Sequence, residues 1–166
     1  MTEALIRALA AFPDQLAAHY ALIPRSHKNW APASWDGVPS EPLTAIEQVC
    51  HVRDIEIDGY QTRFRRTLTE ERPTLPSIDT EALARERGYA TADADAALSS
   101  FRAARAQTVE LLSKLQAAQL ARTALFEGYG PVTVCSLIHF LCSHDLQHLA
   151  GLQWLLGKMR AEIIFP

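Results

Sequence analysis

The sequence predicts an all-α fold, a four-helix bundle with a long first connection, in a single domain over residues 1–166. Apolar residues recur at steps of three and four along four long segments, and no stretch alternates far enough to make a useful strand. Prolines and glycines cluster between the periodic segments, where turns belong. The length suits one domain, and 48% hydrophobic with 21% charged residues supplies a core rather than a disordered polyelectrolyte.

Leu5, Ile6, Leu9, Phe12, Leu16, Tyr20 and Ile23 share one helical face, which predicts a first helix over residues 3–22. Pro13 lacks an amide hydrogen and crowds the preceding turn, so a kink is expected there, or a break with Pro13 restarting the helix. From Pro24 to Pro42 four prolines, Trp30, Trp35 and Asp36-Gly37 follow no period. This is a long loop, and its tryptophans argue that it packs onto the bundle.

A second helix is expected over 43–68, with Ser40 as candidate cap and Ile46, Val49, Cys50, Ile57, Tyr60, Phe64 and Leu68 as its apolar stripe. Arg63, Arg65 and Arg66 near its carboxyl end complement the helix dipole, a simpler reading than an anion site. Pro73 and Pro76 break the chain, and a short helical turn over 80–87 ends at Gly88. Thr91 is the expected cap of a third helix over 93–115, with Asp93 and Asp95 in its first turn. Gly128-Tyr129-Gly130-Pro131 turns the chain into a fourth helix with Pro131 at its first position.

A formal charge of −3 lacks the basic excess of a nucleic-acid binder. The most apolar stretch, 132–156, is interrupted by His139, His144, Asp145, Gln147 and His148, so no membrane span is expected. Glu3 and Arg7 interrupt the apolar amino-terminal pattern, so no signal peptide is expected. Cys50, Cys135 and Cys142 form no CxxC pair, suggest no disulfide framework, and read as buried inert thiols in a reducing cytoplasm.

The functional reading depends on which histidines face inward. On the fourth helix Leu137, Leu141, His144, His148, Gly151 and Leu155 fall within roughly 80° of one another. Two imidazoles among leucines need polar partners, and each costs on the order of 1–3 kcal/mol without them. A metal ion supplies such a partner; hydrogen bonds to backbone or side chains are the alternative. HDLQH is not the zinc-protease motif, because Asp145 stands where that motif has Glu and points about 100° away.

His51 on the second helix lies in a stripe with Glu47, Asp54 and Asp58, at the edge of the apolar stripe. His51, His144 and His148 together make a three-nitrogen site with room for an exchangeable fourth ligand. These three carboxylates read first as solvated helix residues; Asp54, three residues after His51, is the best candidate among them to hydrogen-bond a ring and fix its tautomer. His19, His27 and His139 are not expected to be ligands. Imidazole suits zinc, nickel and iron, so the ligands do not select the ion.

With His51 opening HVRDIE, HDLQHLAGL in the last long helix after YGPVTV, and Trp35 before the second helix, the chain resembles the DinB-like (DinB/YfiT) superfamily, closest to its DinB_2 type. The resemblance implies a four-helix bundle, often dimeric, with a divalent metal on three histidines that map to His51, His144 and His148. All three histidines are expected to converge at one end of the core. The resemblance further implies transfer of a low-molecular-weight thiol to a small electrophile. Metal-assisted hydrolysis of a small-molecule substrate, or a non-catalytic metal-binding role in stress response, would use the same ligands. The apolar tail over 162–166 is expected to pack, on the bundle or in a homodimer.

Overall fold

The computed structural model describes residues 2–164. Four long helical rods form the bundle: α1 (Thr2–Ala21), a second rod from α2 (Ala45–Asp54) through a π-helical stretch (Ile55–Gln61) into α3 (Thr62–Thr69), then α5 (Ala94–Ser113) and α7 (Val134–Ile164). The backbone stays right-handed helical at both junctions of the second rod, so α2 and α3 are continuous. Short helices α4 (Thr80–Glu86) and α6 (Ala117–Leu120) lie in the connections. Both α1 and α2 pack against α5 and α7, which puts the first two rods diagonally across the bundle. The long first connection spans that diagonal. Trp30 and Trp35 pack on the core, and the Trp35 ring stacks on Trp154 with centroids 5.9 Å apart.

Helix α1 runs unbroken through Pro13, so the chain does not restart there. A proline frees the carbonyl four residues earlier. Here that carbonyl, Leu9 O, accepts a hydrogen bond of 3.3 Å from the buried Arg105 guanidinium, so the helix continues without an orphaned acceptor.

The caps also differ from expectation. Thr44, not Ser40, starts α2: Glu47 Oε2 accepts from Thr44 N and Thr44 Oγ1, each at 2.9 Å. Asp93, not Thr91, caps α5 by accepting from Asp95 N and Ala96 N. Helix α7 begins at Val134 rather than Pro131; Thr133 Oγ1 accepts from Ser136 N, and Ser136 Oγ from Thr133 N. Gly88 does end the α4 turn, with a φ of 58° that favours glycine.

A small sheet corrects the purely helical reading. Strand β1 (Thr74–Leu75) pairs parallel with β2 (Thr123–Phe126), which pairs antiparallel with β3 (Gly130–Thr133). Pro131 occupies an edge strand, where its missing donor is tolerated. Strands of two to four residues are too short for alternation to stand out. The second rod carries another difference from an ideal helix. Its π-helical stretch takes an extra residue into the turn, which rotates everything downstream by about 100°.

Two apolar clusters fill the bundle. On the second rod the change between them falls between Val52 and Ile55, and on α7 between Leu141 and Leu152. His144 and His148 fall within this change on α7 and His51 lies just before it on the second rod, so the three meet near the junction of the clusters rather than at one end of the core. No described helix is long and apolar enough to cross a membrane. The expectation for the carboxyl tail rests on Ile163, Ile164 and Phe165, whose side chains lie outside the described residues.

Candidate metal centre

The second rod contributes His51 and α7 contributes His144 and His148, one turn apart as the spacing predicts. Their ligand atoms all lie within 4.8 Å of one another. His144 Nε2 is 3.1 Å from His51 Nε2 and 3.2 Å from His148 Nε2. Three nitrogens at ~2.0–2.1 Å from a tetrahedral ion stand about 3.3 Å apart, so the rings are already near ligand geometry.

Hydrogen-bond counting tests whether an ion fits. Gln48 Nε2 donates to Leu43 O at 3.3 Å, which leaves its Oε1 facing His148 Nδ1 at 3.2 Å. His148 then carries its proton on Nδ1 and presents a lone pair at Nε2. Only one of the two short contacts to His144 Nε2 can therefore be a good hydrogen bond. His144 Nδ1 is shut away from solvent without any partner among the described residues. A cation facing three lone pairs removes the conflict, and the donor set suits a divalent ion. Burial holds His144 and His148 well below the ordinary imidazole range, with neighbouring imidazoles adding to the effect, and lowers His51 too. Neutral rings are the ligating form.

Asp54, the candidate partner of His51, neither serves it nor stays in solvent. Asp54 is buried and occupied elsewhere: it accepts from Arg53 and from the Tyr89 hydroxyl, and pairs with Arg87. Burial pushes its carboxyl up, but these donors hold it below the usual carboxylate range. Glu47 belongs to the α2 cap, and Asp58 pairs with Arg87. The carboxylate beside the histidines is instead Glu41, from the first connection, with Oε1 3.7 Å from His51 Nε2 and Oε2 3.5 Å from His148 Nε2. Neither Glu41 nor Gln48 carries a sequence signal. Glu41 sits in an aperiodic loop, and Gln48 reaches His148 across the bundle.

A cavity of about 250 Å³ opens on the centre, lined by Glu41, His51 and His144 together with Tyr60, Arg63 and Phe126. Of the basic run, Arg66 pairs with Glu70 on the surface, but Arg63 is buried in the cavity wall. Arg63 stands just after the π-helical stretch, which resets its angle around the rod. Asp145 turns away from the cavity onto Arg105, as its angle on the helix predicts.

The remaining histidines stand apart: His19 contacts its own helix, His27 lies beside Trp30, and His139 is exposed. Cys50 is buried, whereas Cys135 and Cys142 are partly exposed rather than buried. Burial pushes the Cys142 thiol up to about 11, so it stays protonated near neutral pH.

Four long rods that bring imidazoles from two helices together beside a small cavity define an α-helical protein with a buried three-nitrogen centre. The chain belongs to the DinB superfamily, whose family model matches residues 3–152. In structure it is similar to YfiT from Bacillus subtilis, described as a probable metal-dependent hydrolase with an unusual four-helix bundle topology. The TM-score is 0.83 at 23% identity, covering 95% of this chain and 87% of that one. No curated protein sequence matches.

Proposed function

We propose that His51, His144 and His148 hold a divalent zinc, nickel or iron ion through Nε2, and that the chain is a metal-dependent enzyme acting on a small molecule, with hydrolysis as the favoured reaction. The observation that carries this is the convergence of three imidazole nitrogens, two on buried rings and one on a half-buried ring, beside an accessible cavity. Its likeness to a probable metal-dependent hydrolase supports the same reading.

A divalent ion at the three nitrogens would acidify a water or thiol at its open position. Gln48 fixes the His148 tautomer from behind, so that ring presents a lone pair. Glu41, its side chain 40% exposed and facing two of the rings, is placed to accept the proton released when water is activated. No protein nucleophile is required. Thiol transfer is the second reading, because a low-molecular-weight thiol entering the same place would release its proton to the same carboxylate.

Glu41→Gln separates these roles from a closed, purely structural site. The variant is expected to keep one metal ion per chain and to lose on the order of 10²–10⁴-fold in turnover, the range of a lost general base. Metal-loaded wild type, Glu41→Gln and His51→Ala would be compared on small activated esters, and on conjugation of cellular thiols to monochlorobimane. Loss of the metal in Glu41→Gln would make the carboxylate a fourth ligand, favouring a non-catalytic metal-binding role.

A further inference from the structure

We infer that Arg63 is the anion-binding residue of the cavity, and that the substrate is a small molecule carrying a carboxylate or phosphate. The assignment of a reacting centre beside it rests on the reading above; the anion seat itself does not.

Arg63 is only 7% exposed, yet it appears in none of the ion pairs among the described residues. Its Nε is buried without an acceptor, and its hydrogen bond from Nη2 to Pro76 O is long, at 3.5 Å. A buried cation without a counter-charge is costly, and the same molecule supplies the contrast. Arg105, 1% exposed, is matched by two carboxylates, Glu56 and Asp145. Arg63 has none, and it borders a cavity.

The surroundings make a seat rather than a gap. The guanidinium lies over the Phe126 ring, 4.4 Å from its centroid, and 5.2 Å from that of Tyr60. Gly59 leaves room for it on the helix side: a Cβ there would stand 3.0 Å from Arg63 Nη1. Aromatic faces position a planar guanidinium without neutralising it, so its charge remains available to a ligand. Tyr60 and His144 rings are 6.1 Å apart, so an anion held by Arg63 places the rest of a small molecule near the histidines. At about 250 Å³ the cavity falls below the ~300–1,000 Å³ that receives drug-sized ligands.

The test is titration with benzoate, benzamide and phenylphosphonate, followed by calorimetry and thermal melting. Wild type, Arg63→Met and Arg63→Lys would be measured, each metal-free and metal-loaded. Benzoate or phenylphosphonate is expected to bind wild type in both metal states, and whichever binds more tightly identifies the anion class. Arg63→Met should weaken that binding by about tenfold or more, the effect of losing a charge-assisted contact, and Arg63→Lys by less. Neutral benzamide should not distinguish the proteins. Without ligand, Arg63→Met should melt above wild type, since an unmatched buried charge has gone. Anion binding that ignores Arg63 and disappears with the metal would overturn the inference and leave the metal reading intact. A variant that melts below wild type, or does not fold, would make Arg63 a structural clamp and also overturn it. If no metal binds, the reading of the centre fails, while the metal-free titration still decides the role of Arg63.

Discussion

Replacing Arg105 by Met is expected to remove about 3–5 kcal/mol of stability, the usual cost of stranding a buried charge partner. Arg105 donates from Nη1 to Asp145 Oδ2 at 2.6 Å and from Nη2 to Asp145 Oδ1 and Glu56 Oε2, both at 2.9 Å. Burial alone would pull the guanidinium down, but these carboxylates hold it above its ordinary value. Glu56 and Asp145 are 1% and 4% exposed, so without the cation two carboxylates remain buried together. The Leu9 carbonyl freed by Pro13 loses its donor as well. Urea denaturation checks this: the midpoint should fall with little change in slope. A loss below about 1 kcal/mol would mean that the cluster is a replaceable polar core rather than a brace between α1, α5, α7 and the second rod.

Gly151→Ala is expected to damage the centre without touching a histidine. Gly151 is buried on α7, one turn after His148, and a Cβ there would stand 2.6 Å from Gln48 Oε1 and 2.9 Å from its Nε2, and closer still to Ser40 Oγ. Gln48 orients His148, and Ser40 precedes Glu41, so one methyl group presses on both supports of the site. Metal affinity should fall by about 10–100-fold, as for other lost supports of ligating histidines. Overpacking should also cost about 1–3 kcal/mol. Gly157→Ala is the control on the same helix, because a Cβ there meets nothing within 4 Å. That variant should keep full metal affinity and gain about 0.5–1 kcal/mol from helix propensity. Unchanged metal affinity in Gly151→Ala, measured by competition with a chelator, would remove Gln48 from the account.

The four rods were legible because the helical period persists over about twenty residues in α1, α5 and α7, long enough to outweigh Pro13. The convergence of His51 with the α7 pair was legible for the same reason: each lies on or beside an apolar face. What the sequence concealed lies where periodicity stops. Glu41 is in the first connection, and the β2–β3 hairpin is too short to declare itself. The basic run reads as three cations complementing the helix dipole, and nothing in it separates Arg63 from its neighbours, because the π-helical stretch just before it resets the angle of every later residue around the rod. Position alone makes Asp54 either a solvated residue or a candidate partner of His51, whereas Arg53, Arg87 and Tyr89 hold its buried carboxylate elsewhere.

The most direct measurement is the metal content of protein purified without a histidine tag, before and after exposure to zinc, nickel or ferrous iron. Wild type would be compared with His144→Ala, and melting curves would verify that both are folded. The three-histidine account predicts one divalent ion per chain in wild type and none retained by the variant after gel filtration. A folded wild type that retains no ion, or a variant that retains the same amount, would contradict it.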